Sequence, residues 1–86
     1  MTLSKFLIVM VYSKLLLSKL DAYGEVEVRM EYQIVPDHEA EPAVGRYPQS
    51  ALSSQALLGR VTGDTVDTVF NYEVVRLRVD SISEGD

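Results

Sequence analysis

Residues 25–35 (EVEVRMEYQIV) alternate apolar and polar side chains as far as Ile34, and this run constrains the fold more than any other part of the chain. Val26, Val28, Met30, Tyr32 and Ile34 share one face, while Glu25, Glu27, Arg29, Glu31 and Gln33 share the other. A period of two residues is that of a β-strand with one dry and one wet face. Pro36 ends the strand because it has no backbone N–H to give, and the polar stretch 37–45, with Pro42 inside it, reads as an exposed loop.

Downstream, Ser50 is placed to cap a short helix over 51–58, with Leu52 and Ala56 on its buried face, Leu57 or Leu58 completing that face, and Gly59 serving the C-terminal turn. So short a helix depends on packing for its stability. Gly63-Asp64 marks a turn, after which 65–70 and 72–80 read as two strands. The second buries Val75, Leu77 and Val79 and exposes Arg76 and Arg78; Asn71 serves the turn between them. Strands outnumber helices and no second helix is available for right-handed crossovers. The predicted class is therefore α+β, a mostly antiparallel sheet with one short helix on its face.

The first 24 residues are harder to place. All three lysines (Lys5, Lys14, Lys19) lie in residues 1–20, which hold no acid, whereas the remainder uses only arginine and carries all 13 acidic residues. That break sets a working boundary near Leu20 and divides the chain into an apolar N-terminal segment (1–24), a domain (25–80) and a tail (81–86). Residues 6–12 (FLIVMVY) form an unbroken apolar run, and Leu15, Leu16 and Leu17 form a second. A membrane span needs about 20 apolar residues, and Lys14 cuts the first run short, so no membrane partner is expected. Residues 18–21 (SKLD) are a poor signal-peptidase site. The segment packs on the domain as strand or helix: β-branched Ile8, Val9 and Val11 lean toward strand, the leucines toward helix.

Composition narrows function mostly by exclusion. With 86 residues the chain is one domain and buries only about 60–65% of its unfolded surface. A hydrophobic content of 47% beside 24% charged residues is that of a globular protein. There is no cysteine and one histidine, so neither disulfides nor a zinc site is expected, and no cofactor. A net charge of −5 argues against direct sequence-specific nucleic-acid binding and for a basic protein partner. His38, between Asp37 and Glu39, is a solvated loop histidine; those acids with Glu41 lack the glycine and terminal glutamate of a calcium loop. Ser50, Ser53 and Ser54 have no base but His38, and the glycines lack phosphate-cradle spacing. No residue is nominated as catalytic.

The ordered series YQIVPDHEAEP (32–42), Gly45-Arg46, Ser50, Ala56-Leu57-Leu58-Gly59, Gly63-Asp64-Thr65-Val66 and Tyr72-Glu73-Val74-Val75 resembles the C-terminal domain of GreA/GreB transcription elongation factors and the related Rnk-type regulators. The resemblance implies an FKBP-like fold, a cytoplasmic location and a partner: a coiled coil of the largest catalytic subunit of RNA polymerase, at the rim of its secondary channel. It places the contact in the loop entering the short helix, where the family reads acid or Asn, then Ser, then Pro. The matching positions are Gln49, Ser50 and Ala51, so only the serine is kept. The family's N-terminal coiled coil, with its acidic metal-holding tip, has no counterpart upstream of Glu25, where Asp21 is the one acid and no heptad pattern runs. The reading is a polymerase-docking domain without transcript cleavage. Two alternatives stand beside it: an FKBP-like prolyl isomerase, and a self-associating fragment joined through its N-terminal apolar run.

Overall fold

The computed structural model describes residues 7–85. Five strands and one helix follow one another as β1 (Lys14–Leu20), β2 (Val26–Val35), β3 (Arg46–Pro48), α1 (Leu52–Leu57), β4 (Thr65–Phe70) and β5 (Glu73–Ser83). Two 3-10 turns, Asp37–Glu39 and Pro42–Val44, shape the loop between β2 and β3. The strands form one mixed sheet in the order β3-β2-β1-β5-β4. Every neighbouring pair is antiparallel except β2 and β3, which run parallel for three residues, Gln33 to Val35 beside Arg46 to Pro48.

The leucine run that leaned toward helix is β1, the centre of the sheet. Leu15 and Leu17 face the core at 3% and 0% exposure, and Leu16 faces outward. Helix propensity loses here because two flanking strands offer these leucines backbone partners and a buried face, which outweighs a few tenths of a kcal/mol of preference per residue. β1 ends at Leu20, where the switch from lysine to arginine falls, and it lies in the middle of the sheet between β2 and β5. The β-branched run before it is not a strand. Within its described part, Val9 is buried and tied to the end of α1, donating its amide to Arg60 O (2.9 Å) and accepting from Gly59 N (2.9 Å), while Ile8 and Met10 are exposed. Phe6 lies outside the described residues.

The alternation of β2 is kept but its burial is not uniform. Tyr32 and Ile34 are buried, Met30 is half-buried, and Val26 and Val28 are 40% and 48% exposed. A six-residue helix covers only part of a sheet face, and α1 lies against β4 and over the Tyr32 end. The helix also presents a different face from the expected one: Ser53, Ser54 and Leu57 are buried and Leu52 is 65% exposed. Beneath it Tyr32 and Tyr47 stack with ring centroids 4.2 Å apart, and Phe70 meets Tyr47 edge-on at 5.4 Å.

Strands β4 and β5 join through Asn71 and Tyr72, both in the left-handed region (φ 53° and 64°), the conformation of a type I′ turn whose twist matches that of the strands. Asn71 suits that conformation; Tyr72, fully exposed, adopts it at a steric cost.

Candidate functional site

The loop entering α1 is held from four directions. Gln49 donates its amide to Val35 O (2.8 Å), which ties the loop to the end of β2. Ala51 N–H closes a turn on Pro48 O (3.0 Å), and Gln55 of α1 reaches back with its side-chain amide to Gln49 O (2.7 Å). The Ser50 amide donates to Asp37 Oδ1 (3.1 Å).

That last contact changes the role expected for Ser50. It does not cap the helix: the N-cap position is Ala51, in extended conformation, with no side-chain cap bond. The serine is instead turned onto Asp37, whose carboxyl is held below the ordinary carboxylate range, chiefly by the Ser50 hydroxyl and next by its amide. An N-cap serine must aim its oxygen at the first helical amides. Here the 3-10 turn after Pro36 puts a carboxylate closer to hand. Gln49 and Ser50 are exposed and Ala51 is half-buried, so the first two positions present their side chains to solvent.

Asp37 is the residue that sequence reasoning missed. By its neighbours it is a solvated charge, and nothing in its local spacing signals that it meets a serine 13 positions later. The same holds for Tyr32, Ser53 and Ser54. The Tyr32 hydroxyl lies 2.5 Å from Ser53 Oγ and 2.8 Å from Ser54 Oγ, in the buried seam between α1 and the sheet. Burial pushes the Tyr32 phenol up, partly offset by the two serine hydroxyls. These contacts bolt the helix, and with it the 49–51 loop, to the central sheet. They also give Ser53 and Ser54 a structural role. His38 is exposed, with Nε2 3.7 Å from Glu39, and among the described residues no three His, Cys, Asp or Glu side chains converge as a metal site would require. Among them, too, no helix is long and apolar enough to cross a membrane.

No family model and no curated protein matches the sequence. Solved structures do match its fold. GreA factor homolog 1 (Gfh1) of Thermus thermophilus superposes with a TM-score of 0.75 at 21% identity, over 96% of this chain and 53% of that one. Gfh1 of Thermus aquaticus gives 0.69 at 25% identity, over 87% and 47%. The transcription elongation factor GreA/GreB from Nitrosomonas europaea gives 0.70 at 17% identity, over 88% and 60%. The fold is that of a GreA/Gfh1 domain. The chain spans about half the length of the Gfh1 structures it matches. Coverage of 96% takes in β1 as well, so that strand belongs to the shared fold.

Proposed function

We propose that this chain is an RNA polymerase-docking domain of the transcription elongation factor type, acting in the cytoplasm without cleaving transcripts. The observation that carries this reading is the likeness of fold to Gfh1 and GreA/GreB structures over most of the chain. We further read the curled sheet with its short helix as FKBP-like, and the contact with polymerase as made by Gln49, Ser50 and Ala51 on the coiled coil at the secondary-channel rim.

The geometry of that loop supports the assignment. A docking loop must be held still, because a mobile one spends binding energy on its own ordering. The bonds to Val35, Pro48, Gln55 and Asp37 supply that restraint. Gln49 brings no charge where the family carries an acid or Asn, but the Asp37 carboxylate sits against the adjacent Ser50 and restores a negative charge to the loop. Such a charge suits a basic partner.

The test is competition on purified RNA polymerase. The chain is expected to displace a full-length GreA-type factor, Ser50→Arg to weaken displacement strongly, and Asp37→Asn to weaken it less. No displacement at high micromolar concentration would reject docking. Equal displacement by Ser50→Arg would move the contact elsewhere on the domain.

A further inference from the structure

Tyr12 holds a backbone conformation that side chains of its size avoid, with φ 76° in the left-handed region. A residue stays there only where its surroundings fix it from several sides, and such positions cluster at ligand clamps and switch regions. Three bonds fix Tyr12: its amide donates to Ile34 O (2.6 Å), its carbonyl accepts from the Gln33 side-chain amide (3.1 Å), and its hydroxyl donates to Glu39 Oε2 (2.5 Å). The first two seat the backbone on β2. The third carries the side chain across to the loop between β2 and β3, 27 positions away.

Glu39 is one end of the 3-10 turn Asp37–Glu39, and Asp37 is the other. Its carboxylate is gripped at both oxygens, Oε2 by Tyr12 and Oε1 by Arg46 Nη2 at 3.5 Å; exposed His38 comes within 3.7 Å. The hydrogen bond to Glu39 pushes the Tyr12 phenol up, as expected of a hydroxyl that donates to a charge. The turn is closed internally by the Glu39 amide on Pro36 O (2.9 Å) and the Ala40 amide on Asp37 O (3.2 Å), so its two acids move together. At the other end of the turn, Asp37 accepts from the Ser50 amide. Tyr12 is thus joined to the loop entering α1 through one short turn. The same N-terminal segment also holds the far end of the helix, where Val9 donates to Arg60 O and accepts from Gly59 N.

We propose that Tyr12 is a positioning residue for the 49–51 loop, and that residues 9–12 form a strap that sets both ends of α1 against the sheet. Val9 fastens the C-terminal end through its backbone, so no change of side chain removes those bonds. Tyr12 fastens the N-terminal end through its hydroxyl, and one substitution releases it. The inference rests on the docking reading only where polymerase is the readout; the effect on Ser50 is a property of the chain alone.

The test follows amide exchange in the full chain and displacement of a full-length GreA-type factor from RNA polymerase. Tyr12→Phe keeps the ring and removes only the hydroxyl. Exchange of the Ser50 amide should rise about fivefold, the size of one hydrogen bond, while the Val9 and Gly59 amides stay as they were. Glu39→Ala should do the same. Glu39→Gln, whose side-chain carbonyl still accepts from Tyr12, should keep exchange near that of the unaltered chain. Because the two residues act through one bond, Tyr12→Phe combined with Glu39→Ala should be no worse than either alone. Displacement should weaken about threefold in Tyr12→Phe and stay unchanged in Glu39→Gln. The proposal is overturned by unchanged Ser50 exchange in Tyr12→Phe, by effects that add, by Glu39→Gln behaving as Glu39→Ala, or by an equal rise at Ser50 and Gly59, which would mean general loosening. Faster Ser50 exchange with undiminished displacement would overturn the positioning role and leave docking in place. No displacement by the unaltered chain would reject docking, and the exchange data would still decide the strap.

Discussion

The two ends of the sheet are built from the same alternating strands yet have opposite fates. At the end that holds Tyr32, Ile34, Leu15 and Val79, α1 closes over the apolar face and all four residues are buried. At the end that holds Val26 and Val28, these two are 40% and 48% exposed, and Tyr23 and Tyr72 on the adjoining turns are 90% or more exposed. The pattern of side chains does not differ between the ends; the presence of a covering element does. Alternation tells which residues share a face, and only a second layer makes that face a core.

That contrast can be broken by matched substitutions. Leu17→Ala, at the covered centre, is expected to cost about 2–5 kcal/mol through lost burial and the cavity left behind, whereas Val28→Ala at the open end should stay within about 0.5 kcal/mol. Chemical denaturation of the two variants measures the gap, and equal losses would mean that the open end is covered in solution.

Tyr32→Phe sharpens the same point at the seam itself. It removes one hydroxyl and leaves those of Ser53 and Ser54 buried without it, an expected loss of about 1–3 kcal/mol. Amide exchange should rise in α1 and in the 49–51 loop more than in β1. Uniform exchange would show that the tyrosine does not specifically fasten the helix.

The smallest effect lies at the loop. Asp37 has a folded pKa below its unfolded one, so its bonds to Ser50 favour the fold above the ordinary carboxylate pKa and are lost as pH falls through the depressed folded value. In an acid titration the Ser50 amide resonance should hold steady through the range in which free aspartates protonate and move only below it. Movement at the ordinary aspartate midpoint would show that the contact is absent in solution.

Much of this architecture was legible before any tertiary information. The alternation of 25–35, the turn residues around Gly59, Gly63 and Asn71, and the two C-terminal strands fixed the class, because each rests on a local rule of period or backbone conformation. Strand β4 falls on residues 65–70 as read, and β5 extends three residues beyond the expected end at Asp80. The site was legible only as a position, the loop entering the helix.

What the sequence could not decide was everything set by neighbours distant in the chain. The leucines of β1 became a central strand because β2 and β5 were available to flank them. Ser50 is bonded to Asp37 rather than to the helix amides, and Leu52 faces solvent while Ser53 and Ser54 meet Tyr32. Local rules dictate which conformations a segment can adopt. The partners that satisfy its polar groups, and so the face it finally buries, exist only once the sheet has formed.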